Sequence, residues 1–248
     1  MTMMIGKRAL VTGASRGIGA AIARALAAEG ADVAITYEKS AAAAATVVED
    51  IKSRGRRAMA IQADSANVAA VQASVARTVA ELGGLDILVN NAGIFKMLLV
   101  KDAALADIDA LFHVNVRAPI IASQAAIPHL GPGGRIITIG SYIADFLPVP
   151  FTSFGLYAAT KSALIGFNKG LARELGPLGA TANLIQPGQI DTDMNPVENP
   201  FKDTLHSMIP VGRYGTAQEI ADTAIFLASK QAQYITGAVL TVDGGFNI

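Results

Sequence analysis

Residues 11–19 read VTGASRGIG and directly follow a short apolar run, RAL. Residues 18–29, IGAAIARALAAE, then repeat apolar side chains with the period of a helix. The sequence therefore predicts a strand, a glycine-rich turn and a helix in succession. In such a unit Gly13 permits the tight turn, Gly17 lets the backbone approach a pyrophosphate, and Gly19 allows the helix to pack closely on the strand. The alternative is a helix-start turn that is glycine-rich by chance, since the spacing is not the common G-x-G-x-x-G.

Strand-like and helix-like segments alternate along the rest of the chain, which predicts a parallel sheet with right-handed crossovers. We expect one domain over residues 1–248, an α/β fold of the Rossmann type with a doubly wound parallel sheet of about seven strands and helices on both faces. A single helix is expected from about Asp107 to Leu130. The long segment 188–215 holds three prolines and follows the sixth strand, so it is predicted to be a lid over a ligand site. The strand-like runs are RALVTG, DVAITY, AMAIQAD, LDILVNNAG, RIITIGS, TANLIQPG and AVLTVDGG.

Composition excludes several classes of protein. The formal net charge is zero, which argues against nucleic acid and anionic membranes as partners. There is no cysteine, so disulfides, thiolate catalysis and Cys-based metal sites are absent. The three histidines share no metal-ligand spacing, and no metal site is predicted. Because neither a signal peptide nor a membrane span is recognisable, a cytoplasmic protein is expected.

Tyr157 and Lys161 are four residues apart and would share one face of a helix. A cation beside a phenol favours the phenolate, so we expect the pKa of Tyr157 to lie below its usual value of about 10. A phenol tuned in this way transfers a proton to or from a carbonyl oxygen near neutral pH. Ser141 ends the fifth strand, where its hydroxyl could hold that carbonyl. Asn115, in mid-helix, requires a reason such as a backbone kink or a bound water.

The residue that ends the second strand discriminates between nicotinamide cofactors. An acid there would bind the ribose 2′-hydroxyl of NAD and repel the 2′-phosphate of NADP. Here the strand ends in Tyr37, while Arg16 in the glycine turn and Lys39 after the strand could pair with a phosphate. NADP(H) is therefore favoured, and NAD(H) is not excluded because Glu38 is one residue past the acidic position. Solvated surface charges are the alternative for Arg16 and Lys39.

Four polar residues at or after strand ends each have two interpretations. Asn90 could line the cofactor or tie neighbouring strands together. Asp64 could accept a hydrogen bond from an adenine amino group or cap the third helix. Ser40 is the candidate cap of the second helix. Asp191 and Asp193 look like paired carboxylates, but beside a threonine we expect turn and capping roles.

Four motifs occur in order along the chain. T-G-x3-G-x-G falls on residues 12–19, N-N-A-G on residues 90–93 and Y-x3-K on residues 157–161, and P-G falls on residues 187–188 with a threonine at Thr192. Over its whole length the chain resembles the short-chain dehydrogenase/reductase family in its compact, 3-oxoacyl-carrier-protein reductase-like form. The resemblance implies an NADPH-dependent carbonyl reductase, and typically a homotetramer whose interfaces involve the helices that carry Asn115 and Tyr157.

The resemblance also implies roles for individual residues. Tyr157 would be the general acid in reduction, and Lys161 would lower its pKa and bind the nicotinamide ribose. Ser141 would orient the carbonyl, and Asn115 would hold a water that links Lys161 to solvent. The expected cofactor contacts are Gly13, Ser15, Arg16, Gly17, Ile18, Gly19, Tyr37, Lys39, Ser40, Asp64, Ser65, Asn91, Ala92, Gly93, Tyr157, Lys161, Pro187, Gly188, Ile190 and Thr192, the last two of which would hold the carboxamide.

The chain departs from the family pattern between the serine and the tyrosine. The serine usually precedes the tyrosine by about thirteen residues, but Ser141 precedes it by sixteen, and the expected position is Ala144. An insertion of three residues is the simplest account, with Ser153 as a weaker alternative to Ser141. Apolar side chains of this insertion and of the lid should crowd the pocket and favour an uncharged or hydrophobic ketone. They are Phe146, Leu147, Pro148, Val149, Phe151, Met194, Phe201 and Met208.

Two competing functions remain at this level. One is an NAD-linked secondary alcohol dehydrogenase, which cofactor preference would separate from a reductase that uses NADPH. The other is a non-catalytic dinucleotide sensor, a class in which the tyrosine or the lysine tends to be lost. The chain retains both Tyr157 and Lys161.

Overall fold

A computed structural model describes residues 3–147 and 152–248. The strands are β1 Arg8–Val11, β2 Asp32–Tyr37, β3 Ala58–Gln62, β4 Ile87–Asn90, β5 Arg135–Ile139, β6 Thr181–Pro187, β7 Ile190–Asp191, β8 Gly215–Thr216 and β9 Val239–Val242. Seven of them form one sheet in the order β3-β2-β1-β4-β5-β6-β9, and every neighbouring pair is parallel. The predicted seven-stranded, doubly wound parallel sheet is confirmed.

Helices cover both faces of this sheet. They are α1 Gly17–Ala28, α2 Ala41–Lys52, α3 Val68–Leu82, α4 Leu105–Phe112, α5 Ala118–Ala126, α6 Gly155–Leu175, α7 Lys202–Ser207 and α8 Ala217–Ala228. Helices α1, α2 and α8 bury their apolar side chains in one core cluster, and α3, α5 and α6 bury theirs in a second cluster on the opposite face. No helix within residues 3–147 and 152–248 is both long and apolar enough to cross a membrane.

The predicted single helix from Asp107 to Leu130 is interrupted. Helix α4 passes into a π-helical segment, His113–Arg117, before α5 begins. Pro119 is in the first turn of α5. Proline has no N–H and its ring crowds the carbonyl four residues earlier, which here belongs to Asn115. A widened turn at this point relieves the crowding, so Asn115 lies in an irregular part of the backbone, and the bound water stays a prediction.

The segment predicted as a lid is ordered into short elements. It contains β7, α7 and β8, and the last of these pairs with β7 in a separate two-stranded sheet. A third apolar cluster joins this segment to the residues that follow β5 and to the C-terminus. Its buried members are Tyr142, Ile143, Ala158, Leu205, Ile209, Tyr214 and Phe246.

Candidate active site

A cleft of about 630 Å³ opens at the carboxyl ends of β1, β4, β5 and β6. Its position agrees with the rule that parallel α/β sheets bind ligands where the strand order reverses, here between β1 and β4. Every residue predicted to contact the cofactor lines this cleft, and so does Ser141. The structure therefore brings the predicted site together in one place, although the contacts with a cofactor themselves stay predictions.

The glycine-rich turn is held by backbone geometry and close packing. Gly13 and Gly17 have φ values of +62° and +56°, in the left-handed region that glycine occupies without strain. The side-chain nitrogen of Asn91 donates to the backbone carbonyls of Thr12 at 2.9 Å and Gly13 at 3.0 Å. A Cβ on Gly19 would lie only 2.4 Å from that same amide nitrogen. Close approach of helix to strand thus requires glycine at this position.

The start of α1 carries no side-chain cap. Arg16 occupies the cap position with an extended backbone, and no side chain accepts from the first-turn amides. Those N–H groups and the positive end of the helix dipole are at the cleft beside Gly17. An anionic group such as a phosphate is the ligand that this arrangement favours.

The strand-end polar residues differ in how they meet their two interpretations. Asn90 meets neither, because it is buried outside the cleft and its side-chain amide donates to the hydroxyl of Ser123, which ties β4 to the helix α5 and not to a neighbouring strand. Asp64 lines the cleft but is not the cap of α3, which is Asn67, and the Asp64 carboxylate accepts from the amide of Ala66 in a local turn. Ser40 precedes α2 but its side chain makes no capping hydrogen bond.

The charges at the adenine end of the cleft come in opposed pairs. Lys39 lies 3.0 Å from Glu38, and Arg16 lies 4.0 Å from Asp193, with both partners of the second pair largely exposed. Asp193 lines the cleft across from the glycine turn. The carboxylate of its neighbour Asp191 instead accepts from the backbone of Val197, which is the turn role expected for it. Arg16 and Lys39, the cations predicted to meet a phosphate, are therefore exposed, and each already lies near a carboxylate.

At the other end of the cleft, β5 and α6 bring together the three predicted catalytic side chains that line it. Ser141 follows β5 and lines the cleft together with Tyr157 on α6, close enough for its hydroxyl to lower the pKa of the phenol. The ammonium of Lys161 donates to the carbonyl of Ile139 at 3.1 Å and lies 5.7 Å from the centre of the Tyr157 ring. Ser153 is outside the cleft in a left-handed conformation with φ +72°, so Ser141 is the serine that meets the tyrosine.

The expected lowering of the tyrosine pKa is wrong for this structure. Burial raises the pKa of Tyr157 to about 12, and the hydrogen bond with Ser141 offsets only part of this rise. Burial also lowers the pKa of Lys161 to about 8. Desolvation disfavours the charged form of each group, and it outweighs the attraction between phenolate and ammonium that the helical spacing suggested. The pair is therefore most stable with Tyr157 protonated.

Asn115 acts on the backbone of the neighbouring loop. Its side-chain oxygen accepts from the amide of Ile94 and its nitrogen donates to the carbonyl of the same residue, both at 2.9 Å. The nitrogen also lies 3.2 Å from the hydroxyl of Thr160 on α6. The side chain is buried and does not line the cleft, although its neighbour Val114 does. The predicted water relay through Asn115 stays a prediction.

The walls of the substrate end include residues that sequence reasoning missed. Phe95 lies edge-on to Tyr157, with ring centres 5.0 Å apart, and Ile94 and Val114 line the cleft beside it. These residues lie in a loop and a π-helical segment that carry no sequence signal for a site. The remaining missed lining residues are Thr36, Ala63, Ile139, Gly140 and Asn195.

The predicted crowding of the pocket by apolar insertion residues is wrong for the described members. Phe146 packs on Phe246 in the third apolar cluster, Leu147 is half exposed, and neither lines the cleft. Of the three apolar lid residues named above, Met194 lines the cleft, whereas Met208 packs in the third cluster and Phe201 is half exposed. Pro148, Val149 and Phe151 lie outside the described residues. Phe146 and Met208 point away from the cleft because they pack against the third apolar cluster.

Known proteins match the chain along nearly its whole length. The family model described as enoyl-(acyl carrier protein) reductase matches residues 13–247. The cyclic-di-GMP-binding biofilm dispersal mediator protein of Escherichia coli is 43% identical, covering 99% of each chain. The 3-oxoacyl-[acyl-carrier-protein] reductase of Staphylococcus aureus is 40% identical over 98% of this chain and 99% of its own. A crystal structure of a short chain dehydrogenase from Burkholderia cenocepacia in complex with NADP superposes with a TM-score of 0.96, at 55% identity over 99% of this chain and 100% of the other.

Proposed function

The chain belongs to the short-chain dehydrogenase/reductase family, and from this premise we propose that it is an NADPH-dependent carbonyl reductase. It would reversibly transfer hydride between the nicotinamide and a ketone or secondary alcohol. One observation carries the proposal. Ser141, Tyr157 and Lys161 converge on the end of a cleft whose other end is an uncapped, glycine-rich helix start. An anionic dinucleotide and a carbonyl compound are the ligands that these two ends favour together.

The residues present fit a nicotinamide dinucleotide phosphate. The free first-turn amides of α1 suit its pyrophosphate, and no acid ends β2 to repel a 2′-phosphate near Arg16. The Burkholderia neighbour with 55% identity was crystallised with NADP, which supports the same cofactor here. When bound, the cofactor supplies the hydride; all other parts of the reaction fall to the protein.

Proton transfer is the task of Tyr157. With its pKa raised to about 12, the phenol is protonated at neutral pH and can donate to the oxygen of a carbonyl as that oxygen gains negative charge. The hydroxyl of Ser141, which lines the same cleft as Tyr157, would hold the same oxygen. The ammonium of Lys161 stabilises the phenolate left after donation. The raised pKa therefore matches the reductive direction.

The substrate is proposed to be an uncharged ketone with an apolar substituent. Phe95 lies against Tyr157 and Met194 also lines the cleft, so both offer apolar or aromatic surface to it. The family model and the Staphylococcus relative are both named for reductases of substrates on an acyl carrier protein, which are hydrophobic acyl chains. We further propose a cytoplasmic homotetramer, which light scattering of the purified protein would test by mass.

The decisive experiment replaces Tyr157 by Phe. A panel of ketones is first offered to the wild-type protein with NADPH or NADH, and cofactor oxidation is followed by absorbance. Tyr157→Phe removes the proton donor but keeps the ring against Phe95, so we expect turnover to fall by roughly a thousandfold while NADPH affinity stays within about twofold. Full turnover in this variant would refute the mechanism.

A second candidate function is binding without catalysis. The Escherichia coli relative is named for binding cyclic di-GMP, a ligand with two phosphates that an uncapped helix start could also accept. Against this role stands the buried ammonium of Lys161, which burial disfavours and which a binding protein would not need to keep. Competition between cyclic di-GMP and NADPH in a titration would separate the two, because displacement without ketone turnover would favour the binding role.

A further inference from the structure

A chain of hydrogen-bonded side chains runs from behind the cleft to its lining. The hydroxyl of Tyr142 accepts from the side-chain nitrogen of Gln189 at 2.9 Å, and the side-chain oxygen of Gln189 accepts from the nitrogen of Asn195 at 2.8 Å. Tyr142 and Gln189 are 7% and 9% exposed, and neither lines the cleft. Buried amide groups are costly to leave without partners, so this chain has a definite geometry.

The two ends of this chain are joined to opposite walls of the site. Tyr142 directly follows Ser141 and opens the tight turn Tyr142–Ala144, whose Ile143 amide contacts the Ser141 hydroxyl at 3.4 Å. Asn195 closes the segment of residues 190–195, which we term the arm, through a backbone bridge to Thr192. The arm covers the glycine turn, where Thr192 packs beside Gly17.

Gln189 is the only link in this chain that contacts both sides. Its backbone carbonyl also accepts from Gly215 at 2.8 Å, and this fixes the residue at the base of the lid. The ring of Tyr142 is held edge-on against the buried Phe246, with centres 5.0 Å apart. A displacement of the arm would therefore be transmitted by Gln189 to a phenol whose position is otherwise fixed.

We propose that Gln189 is a positioning residue that couples the arm to the segment carrying Ser141, so that occupation of the cofactor end aligns the serine at the substrate end. Its partners in this role are Tyr142 and Asn195. The inference rests on the proposed function, since the alignment matters only where Ser141 and Tyr157 act on a carbonyl. Its structural part, the coupling of the two walls, does not depend on turnover.

The experiment compares three variants with the wild type. Gln189→Met keeps the length of the side chain and removes both hydrogen bonds, and Tyr142→Phe removes one. Tyr214→Phe is the matched control, because its equally buried hydroxyl accepts from the amide of Asn199 at 3.1 Å within the lid and has no link to Ser141. We expect kcat to fall roughly tenfold in Gln189→Met and Tyr142→Phe, with less than twofold change in Tyr214→Phe.

Two readouts distinguish alignment from a loss of packing. With deuterated NADPH, the isotope effect on kcat should rise in Gln189→Met and Tyr142→Phe, because a misaligned hydride transfer becomes rate-limiting. The double variant should be no worse than the poorer single one, since both break the same chain. Isotope effects equal to that of Tyr214→Phe would overturn the inference.

The second readout is hydrogen exchange with and without NADPH. In the wild type and in Tyr214→Phe, the cofactor should slow amide exchange in Tyr142–Ala144, and in Gln189→Met this protection should be lost. Equal protection in all proteins would refute the coupling even if the wild type turned over no ketone. Absence of ketone turnover in the wild type, with protection that depends on Gln189, would instead refute the proposed function and leave the coupling supported.

Discussion

The two ends of the cleft are built by different means. At the glycine turn the backbone itself forms the surface, with Gly13 and Gly17 at positive φ and Gly19 pressed against Asn91. At the substrate end, side chains from several elements are brought together by burial and by hydrogen bonds such as the one from Lys161 to the carbonyl of Ile139. The first kind of site depends on the absence of side chains, and the second on their identity. The two ends should therefore respond differently to substitution.

The largest expected effect is at the backbone-built end. A Cβ in Gly19→Ala would lie 2.4 Å from the Asn91 side chain, 2.8 Å from the Gly13 carbonyl and 2.9 Å from the Cα of Ala14, two of which are backbone atoms that cannot move aside. We expect NADPH affinity to fall more than about a hundredfold and the free energy of unfolding to drop by roughly 3 kcal/mol. Isothermal titration and denaturant unfolding measure the two effects.

The control for that substitution is Gly55→Ala. Gly55 has φ +74° in a turn with open space around its Cβ position, so the change tests backbone strain alone. It should cost about 1 kcal/mol and leave NADPH affinity unchanged. Equal affinities for the two alanine variants would mean that the glycine turn tolerates side chains and that the contrast between the ends is false.

A change in stability of similar size but opposite sign is expected at the side-chain-built end. Lys161→Met removes a buried ammonium, so we expect the variant to unfold at higher free energy than the wild type at pH 7, by about 3 kcal/mol before the lost bond to Ile139 is counted. The pKa of Lys161 is about 8 in the folded protein and near 10.5 when unfolded. Between these two pH values the unfolded wild-type chain binds more protons than the folded one. The free energy of unfolding of the wild type therefore rises with pH relative to that of the variant.

Unfolding in denaturant at pH 7 and pH 10 measures this difference. Comparison with the variant at each pH cancels the contributions of those groups that do not interact with Lys161. The gap between the two proteins should narrow toward pH 10. A constant gap would show that Lys161 is not desolvated, and the account of both pKa shifts would fail with it.

The smallest effect is expected where exposed charges meet. Arg16→Ala removes a cation near the proposed 2′-phosphate, and we expect KM for NADPH to rise roughly tenfold while KM for NADH changes little. Arg24→Ala is the matched control, because Arg24 is on the same helix but pairs with Asp50 at 2.7 Å away from the cleft. Steady-state kinetics with both cofactors decide, and equal increases for NADPH and NADH would remove Arg16 from the basis of cofactor preference.

The contrast between the two ends of the cleft also explains which features could be predicted from the sequence. Glycine spacing and strand ends are local patterns, so the sheet, the turn at Gly13 and the lining of the cofactor end were predictable. The position of Phe95 is not, because it depends on Asn115 binding the backbone of Ile94 from another element. The side-chain chain through Gln189 has no local pattern either, since its partners are 47 and 6 residues away.

Two errors at the substrate end have a common cause. The pKa of Tyr157 was expected to fall because a helical spacing reveals a neighbouring charge but not how deeply the pair is buried. Phe146 was expected in the pocket because composition reveals that a loop is apolar but not that Phe246 competes for its ring. Burial is a property of the assembled fold, and both quantities depend on it.

The π-helical segment has a consequence for the outer surface of the helices beside it. Each α-helical residue turns the chain by about 100°, so eight ordinary steps from Phe112 would place Ile120 about 80° away. The wider π turn takes up one extra residue, so the helix rotates between Phe112 and Ile120 as it would over seven α-helical residues. Phe112 and Ile120 therefore lie within about 20° of one line along the helix, and the same holds for Leu105 and Phe112, which are seven residues apart. Leu105, Phe112 and Ile120 are exposed, at 72%, 38% and 38%. The same irregularity that places Asn115 inside thus keeps an apolar stripe in phase outside, along the helices that the tetramer prediction assigns to an interface.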